Sequence, residues 1–298
     1  MKLAALDLGS NSFHLLVAET NGESELKRVG SRKEMLRLGS TVQDSGQLSD
    51  AVFELALGSV ARLSDAARQL GAKKLTTAAT SAIRDARNGA AFCAACSDRF
   101  GVEVELLSGE DEARLAYLGA RSAIRARGAR VLVCDVGGGS VELAAGMDET
   151  CDTVSSLPLG FLRLSRAFPI GEPGGPERLA RYVQLELEKS RWQLGRFDTL
   201  LLSGGTARAI GKLLGGGVAS ASTLQVIKLC TRLRELKPSE LQRLGVDEAR
   251  STTLAAGAAV VAGILAGLNQ RELRISPRGL REGLLLRELS RQTPIRAA

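Results

Sequence analysis

The chain has 298 residues, 44% of them hydrophobic and 24% charged, which suits a soluble globular protein with room for two domains. Aromatic residues make up only 3%, which excludes a base-stacking platform for single-stranded nucleic acid. Forty basic residues against 33 acidic give a net charge of +7, spread along the chain without a basic arm of nucleic-acid type. The expectation is therefore an anionic partner that is not nucleic acid.

Leu3–Leu8 is short and interrupted by Asp7, so no signal peptide is expected. The most apolar stretch, Thr253–Leu268, is rich in Ala and Gly and reads as a buried helix, not a membrane span. Its glycines at 257 and 263 suit close helix packing or a protomer contact. Five cysteines in no framework spacing suit a reducing cytoplasm.

In chain order, residues Leu3–Val17 predict a hairpin: an apolar run ends in Asp7, Gly9-Ser10-Asn11-Ser12 turns the chain, and an apolar run returns. Leu26–Leu38 predicts further strand, Leu48–Leu70 a helix by its apolar spacing, and Lys74–Thr80 a strand. Ser81-Ala82-Ile83-Arg84-Asp85 then leads into an Ala-rich helix ending at Phe100. Val102–Leu107 predicts a strand, and Ser108-Gly109-Glu110-Asp111-Glu112 opens a helix to about Ile124. The hairpin grammar repeats at Val131–Leu143, where Asp135 ends a β-branched run, Gly137-Gly138-Gly139-Ser140 turns, and a strand with Glu142 follows. Thr153–Leu157 predicts a strand and Gly171–Pro176 a loop. Helices are expected at Glu177–Gln193, Ala207–Leu214, Thr223–Leu236, Ser239–Leu244, Asp247–Leu268 and Arg278–Leu289, with strands at Thr199–Leu202 and Leu273–Ile275.

Glycine turns let a backbone approach a ligand closely, and their N–H groups can cradle an anion. A third such turn, Ser203-Gly204-Gly205-Thr206, closes the strand at Leu202. One such turn carries little weight. Three, two of them sharing the Asp-turn pattern, point to two related halves that handle a phosphate-bearing ligand. An Asp at a strand end can hold a hard cation. On residue type alone, the acids beside the turns could instead cap backbone amides, and Glu110–Glu112 could simply favour a helix N-terminus.

Seven motifs, in order, resemble the exopolyphosphatase / guanosine pentaphosphate phosphohydrolase family. They are Asp7–His14, Ala79–Arg84, Ser108–Arg114, Asp135–Glu142, Leu157–Gly160, Ser203–Arg208 and Ser276–Gly283. The resemblance implies an α/β fold of two ribonuclease H-like domains of the actin / sugar kinase / Hsp70 superfamily with an interdomain cleft. It implies domains at 1–120 and 121–283, with a helix at about 284–298 packing back on the first. The chain resembles the short, two-domain form; long members carry further helical domains of the HD-hydrolase type, whose metal site the lone His14 cannot supply.

The implied activity is Mg²⁺- or Mn²⁺-dependent release of orthophosphate from the end of inorganic polyphosphate, by a cytoplasmic homodimer without a membrane role. Guanosine pentaphosphate hydrolysis and non-catalytic sensing of either ligand are the alternatives. By resemblance Glu112 is the general base. Arg84 grips phosphate, unless it pairs with Asp85 or a neighbour. Gly9, Ser10, Asn11, Ser12, Gly137, Gly138, Gly139, Ser140, Gly204, Gly205 and Thr206 bind phosphate. Asp7, Asp135 and Glu142 serve the metal or its water shell. Arg163, Arg208, Arg278 and Arg281 are weaker candidates for a basic track. His14 is expected to support the first turn, and the Cys93–Cys96 pair to be small buried side chains.

Overall fold

The computed structural model describes residues 1–21, 25–124, 127–190, 194–215, 220–233 and 235–292. The ends of the helices expected to reach Gln193 and 298, and Arg234 within Thr223–Leu236, lie outside them. The chain divides into two compact units, Met1–Gly119 with Leu280–Ala298, and Ala120–Gly279.

The first unit holds a five-stranded sheet. Its strands are β1 (Lys2–Leu8), β2 (Ser12–Thr20), β3 (Leu26–Met35), β4 (Lys74–Ala79) and β5 (Val104–Leu106), in the order β3-β2-β1-β4-β5. β1 and β2 form the expected hairpin, and β1, β4 and β5 run parallel. Alternation along the strands sends side chains to two cores. Leu6, Leu8, Phe13, Leu15 and Val17 pack under α2 (Asp50–Gln69) and α4 (Gly89–Phe100). Leu3, Ala5, Leu16 and Ala18 pack under α5 (Gly109–Arg121) and α13 (Leu280–Gln292). Two short helices complete this unit, α1 (Leu38–Ser45) and α3 (Ser81–Asp85).

The second unit repeats the plan. Strands β6 (Arg130–Val136), β7 (Val141–Met147), β8 (Thr150–Leu157), β9 (Thr199–Ser203), β10 (Ser220–Ser222) and β11 (Glu272–Ile275) lie in the order β10-β11-β9-β6-β7-β8. The run β8-β7-β6-β9-β11 therefore mirrors β3-β2-β1-β4-β5 in order. The pairing repeats too: two antiparallel links, then two parallel ones. Helices α6 (Phe161–Ala167), α7 (Gly175–Ser190), α8 (Gly204–Leu213), α9 (Thr223–Leu233), α10 (Pro238–Arg243), α11 (Glu248–Ser251) and α12 (Leu254–Leu268) cover the sheet.

Several boundaries differ from the sequence reading. The strand expected to reach Leu38 ends at Met35, and Arg37 turns left-handed (φ 53°) to start α1. The helix expected over Asp247–Leu268 breaks at Thr252–Thr253 into α11 and α12. α7 begins at Gly175, inside the expected loop. Helix α12 is buried almost throughout, as its apolar composition requires. A Cβ on Gly263 would lie 2.4 Å from the Ala180 carbonyl oxygen of α7, so that glycine sets the close approach of the two helices. No helix among the described residues is long and apolar enough to cross a membrane.

Candidate active site

The candidate site of the first unit grows from the β1–β2 turn. Asp7 is the penultimate residue of β1, and Gly9 N–H donates to the Ser12 carbonyl at 3.2 Å to close the turn. The turn's other carbonyls are tied down from outside. Gly39 N–H donates to the Ser10 carbonyl (2.8 Å), and the Leu36 and Arg37 N–H groups donate to that of Asn11 (3.1 and 3.0 Å). The N–H groups of Ser10 and Asn11 are left without an acceptor among the described residues. That is the polarity an anion requires. Ser10 Oγ lies 3.0 Å from Ser81 Oγ, which joins the turn to the start of α3.

From α3, Arg84 reaches the start of α5. Its Nη1 donates to Glu112 Oε2 at 2.8 Å and to the Leu107 carbonyl at 3.0 Å. Glu112 is 8% exposed. Its neighbours do other work. Ser108 and Asp111 cap the helix, with Asp111 N–H donating to Ser108 Oγ and Ser108 Oγ to the Asp111 carboxylate. Glu110 pairs with Arg114 one turn on, at 3.5 Å. Of the acidic trio, only Glu112 faces inward. The Arg84–Asp85 pair is much longer, at 4.0 Å.

The candidate site of the second unit uses the same hairpin. Gly137 N–H donates to the Ser140 carbonyl at 3.0 Å. Here α6 ties down the carbonyls. Phe161 N–H donates to Gly137 (3.3 Å), Leu162 N–H to Gly138 (2.9 Å), and Arg163 Nε to the Gly139 carbonyl (3.1 Å). Again two turn amides, those of Gly138 and Gly139, have no acceptor among the described residues. Gly160 is required for this contact, because a Cβ there would lie 2.2 Å from Gly139 C and 2.4 Å from Gly138 C. Arg163 thus holds the turn's backbone. Arg278 likewise serves structure, with its Nη1 on Ser122 and its N–H on Ser276 Oγ. Arg208 and Arg281 are half-buried.

The third expected turn is different in kind. Gly204, Gly205 and Thr206 are the first residues of α8, so their amides belong to a helix N-terminus, not a free turn. The helix starts three residues earlier than expected, at Gly204, whose left-handed φ of 91° suits glycine. A Cβ there would also meet Asp135 Oδ1 at 2.5 Å.

Across the sheet, register lines up Glu142, Asp135 and Ser203 on adjacent strands. Glu142 is 3% exposed and accepts a bond from Ser156 Oγ at 3.0 Å. Ser203 Oγ is buried with no hydrogen-bond partner. Burial, then the charges of Asp135 and Glu142, push the neighbouring Cys134 thiol well up. Two carboxylates and an unsatisfied hydroxyl are hard oxygen donors, and Mg²⁺ is held by one or two carboxylates with water completing its shell. The row fits such an ion, although no cluster of three His, Cys, Asp or Glu forms among the described residues. The corresponding row of the first unit reads Lys33, His14, Asp7, Ala78, with one carboxylate. Ser203 and Ser81 escaped assignment from sequence. Each stood inside a motif, but only the pairing register and the helix start give it a neighbour.

The Cys93–Cys96 pair packs in α4, and burial pushes the Cys96 thiol up to about 12, which leaves it protonated.

The Ppx/GppA phosphatase family matches residues 16–292. The chain is 32% identical to Exopolyphosphatase 1 of Mycobacterium tuberculosis, over 97% of this chain and 88% of that one. It is 30% identical to the protein of that name from Mycobacterium leprae, over 97% and 90%. The crystal structure of the Aquifex aeolicus Ppx/GppA family member, 25% identical, matches 98% of this chain and 99% of that chain with a TM-score of 0.83. An exopolyphosphatase structure from Cytophaga hutchinsonii, 21% identical, shares the fold with a TM-score of 0.86 over 97% and 98%. With nearly the whole chain matched and its two sheets repeating one plan, this protein belongs to the Ppx/GppA phosphatase family.

Proposed function

We propose that the protein is an exopolyphosphatase that hydrolyses the terminal phosphoanhydride of inorganic polyphosphate, with Glu112 as general base. The observation that carries this reading is the buried Glu112 carboxylate, held at 2.8 Å by Arg84 in the unit that also offers the Ser10 and Asn11 amides. Relatives named exopolyphosphatase, at 30–32% identity, support polyphosphate as the substrate.

In the proposed reaction a water oxygen bonds to the terminal phosphorus as the bridging P–O bond breaks. The water's proton passes to a Glu112 carboxylate oxygen. Orthophosphate leaves, and the shortened chain carries away the bridging oxygen. Amides of the Gly9–Ser12 turn, in the unit that holds Glu112, donate to phosphate oxygens, where charge builds in the transition state; the Gly137–Ser140 turn and the α8 start offer the same polarity within the second unit. Arg84 adds a planar cation whose Nη1 orients Glu112 while its other nitrogens can meet phosphate. Asp135 and Glu142, with Ser203, would hold Mg²⁺, which when bound neutralises phosphate charge.

The test is phosphate release with Mg²⁺ from long polyphosphate, tripolyphosphate, guanosine pentaphosphate and ATP at equal terminal-phosphate concentration. Preference for polyphosphate is expected. Preference for guanosine pentaphosphate would overturn the substrate assignment and leave the catalytic roles in place.

A further inference from the structure

Residues 26–37 carry five cations, Lys27, Arg28, Arg32, Lys33 and Arg37, against one acid, Glu34. The whole chain has 40 against 33, so this segment holds far more than its share of the excess charge. The fold lines it along one sheet edge, because β3 is the edge strand of its sheet, with Lys27 and Arg32 on one face of that edge and Arg28 and Lys33 on the other. Lys27, Arg28, Arg32 and Arg37 are exposed, and Lys33 is half-buried. Glu34 does not offset them, because Arg62 of α2 takes it in two bonds, Nε to Oε1 at 3.1 Å and Nη2 to Oε2 at 2.6 Å. Glu19 stands opposite Lys27 and tempers that end of the row, which gains net charge from Arg28 towards Arg37.

The strand leads to the candidate phosphate turn. Met35 pairs with Ser12, and the N–H groups of Leu36 and Arg37 bond the Asn11 carbonyl. Arg37 holds its left-handed backbone at that junction. From Lys27 to Lys33 the strand spans about 20 Å at a rise of roughly 3.3 Å per residue. An edge strand also presents unpaired N–H groups along its outer side, which donate to anions.

We propose that β3 is a docking rail for the body of a linear polyphosphate chain whose terminal phosphate lies at the Gly9–Ser12 turn. This rests on the exopolyphosphatase reading for its occupant. A polymer with a charge at every unit fits a row of cations and edge amides better than a compact nucleotide, which would meet only the end nearest the turn. The rail gives long chains a grip that short chains lack.

The test measures binding apart from turnover, in a Glu112→Gln background. A rail variant, Lys27→Gln with Arg28→Gln and Arg32→Gln, is compared with a charge-matched control, Arg181→Gln with Arg232→Gln and Arg243→Gln. Each is titrated with long polyphosphate and with tripolyphosphate over a range of salt. The expected result is a roughly tenfold rise in the ratio of long-chain to tripolyphosphate Kd for the rail variant only. Each cation contributes roughly 0.7 to the salt slope on a flexible polyanion, so the rail variant should lose about 2 in slope. Equal loss for both chain lengths, loss as large in the control, or no loss would overturn the rail; the last would leave the charges as guards against edge pairing. Tighter binding of single-stranded RNA of matched charge would overturn polyphosphate as its occupant. A wild-type chain that binds long polyphosphate through the rail yet releases no phosphate would refute the catalytic reading and keep the rail.

Discussion

Glu112 and Arg84 lie 28 residues apart and meet at 2.8 Å with side chains only 10% and 22% exposed. At that burial the pair does two jobs that substitution can separate. Glu112→Gln keeps the shape and an acceptor for Arg84 but removes the carboxylate that takes the proton. We expect phosphate release to fall at least about a hundredfold, with polyphosphate binding and folding stability nearly unchanged. Wild-type turnover would remove Glu112 from the mechanism. Arg84→Gln leaves a buried carboxylate without its cation, and the expected loss is about 3 kcal/mol of stability as well as turnover. The double variant should regain much of the stability and none of the turnover, a coupling that denaturant melts of the four proteins measure. Additive losses would mean the ion pair matters little to the fold. Sequence alone marked both residues through their motifs, but not their contact, because residue type is silent about which partner a buried arginine finds.

Helices α1 and α6 were not foreseen, and the reason is physical. A helix start is recognised by a residue whose side chain caps the first amides. Neither Arg37 before α1 nor Gly160 before α6 makes a side-chain cap bond. The amides at these helix entrances instead find the turn carbonyls of Ser10, Asn11, Gly137 and Gly138, acceptors supplied by the tertiary fold. The same arrangement appears in both units, so the helices that escaped the sequence are the ones that shape the legible turns. Gly160→Ala tests this, since its Cβ cannot fit within 2.4 Å of the turn backbone without moving α6. The expected outcome is about 3 kcal/mol lost in denaturant melts and phosphate release down more than about tenfold. Normal kinetics in this variant would show that α6 does not set the turn. A second element has a pH signature. Lys74 of β4 meets Glu288 of α13 at 2.6 Å. Burial raises the Glu288 carboxyl, but the Lys74 and Gln292 hydrogen bonds outweigh it and hold the carboxyl below the ordinary glutamate value. Its stabilisation is therefore complete above that ordinary value and disappears as pH falls through the lowered one. Glu288→Gln should flatten the acid limb of a stability-against-pH curve; an unchanged limb would rule the pair out.

Over the whole molecule, the duplication was legible because Asp7 and Asp135 each stand one residue before a strand's end and seven residues before the residue they face across the turn, His14 and Glu142. What the sequence could not show is that the two copies have diverged in chemistry. One row reads Lys33, His14, Asp7, Ala78, and the other Ser156, Glu142, Asp135, Ser203. Ser203 joins its row only through parallel pairing with a strand more than sixty residues away. This asymmetry makes an uneven forecast for the metal. A ligand that binds only the folded state stabilises it by about 2.7 kcal/mol at a hundred times its Kd. Mg²⁺ should accordingly raise the melting temperature of the wild-type chain in a saturable way, and a chelator should reverse it. Asp135→Asn with Glu142→Gln should abolish that shift, because it removes both carboxylates of the row. Asp7→Asn should reduce it less, since its row offers a single acid. The two substitutions also relieve repulsion between adjacent carboxylates, so the metal-free double variant should melt no lower than wild type. A Mg²⁺ shift that survives in the double variant would place the ion elsewhere, while its loss in Asp7→Asn alone would make the first unit the principal holder.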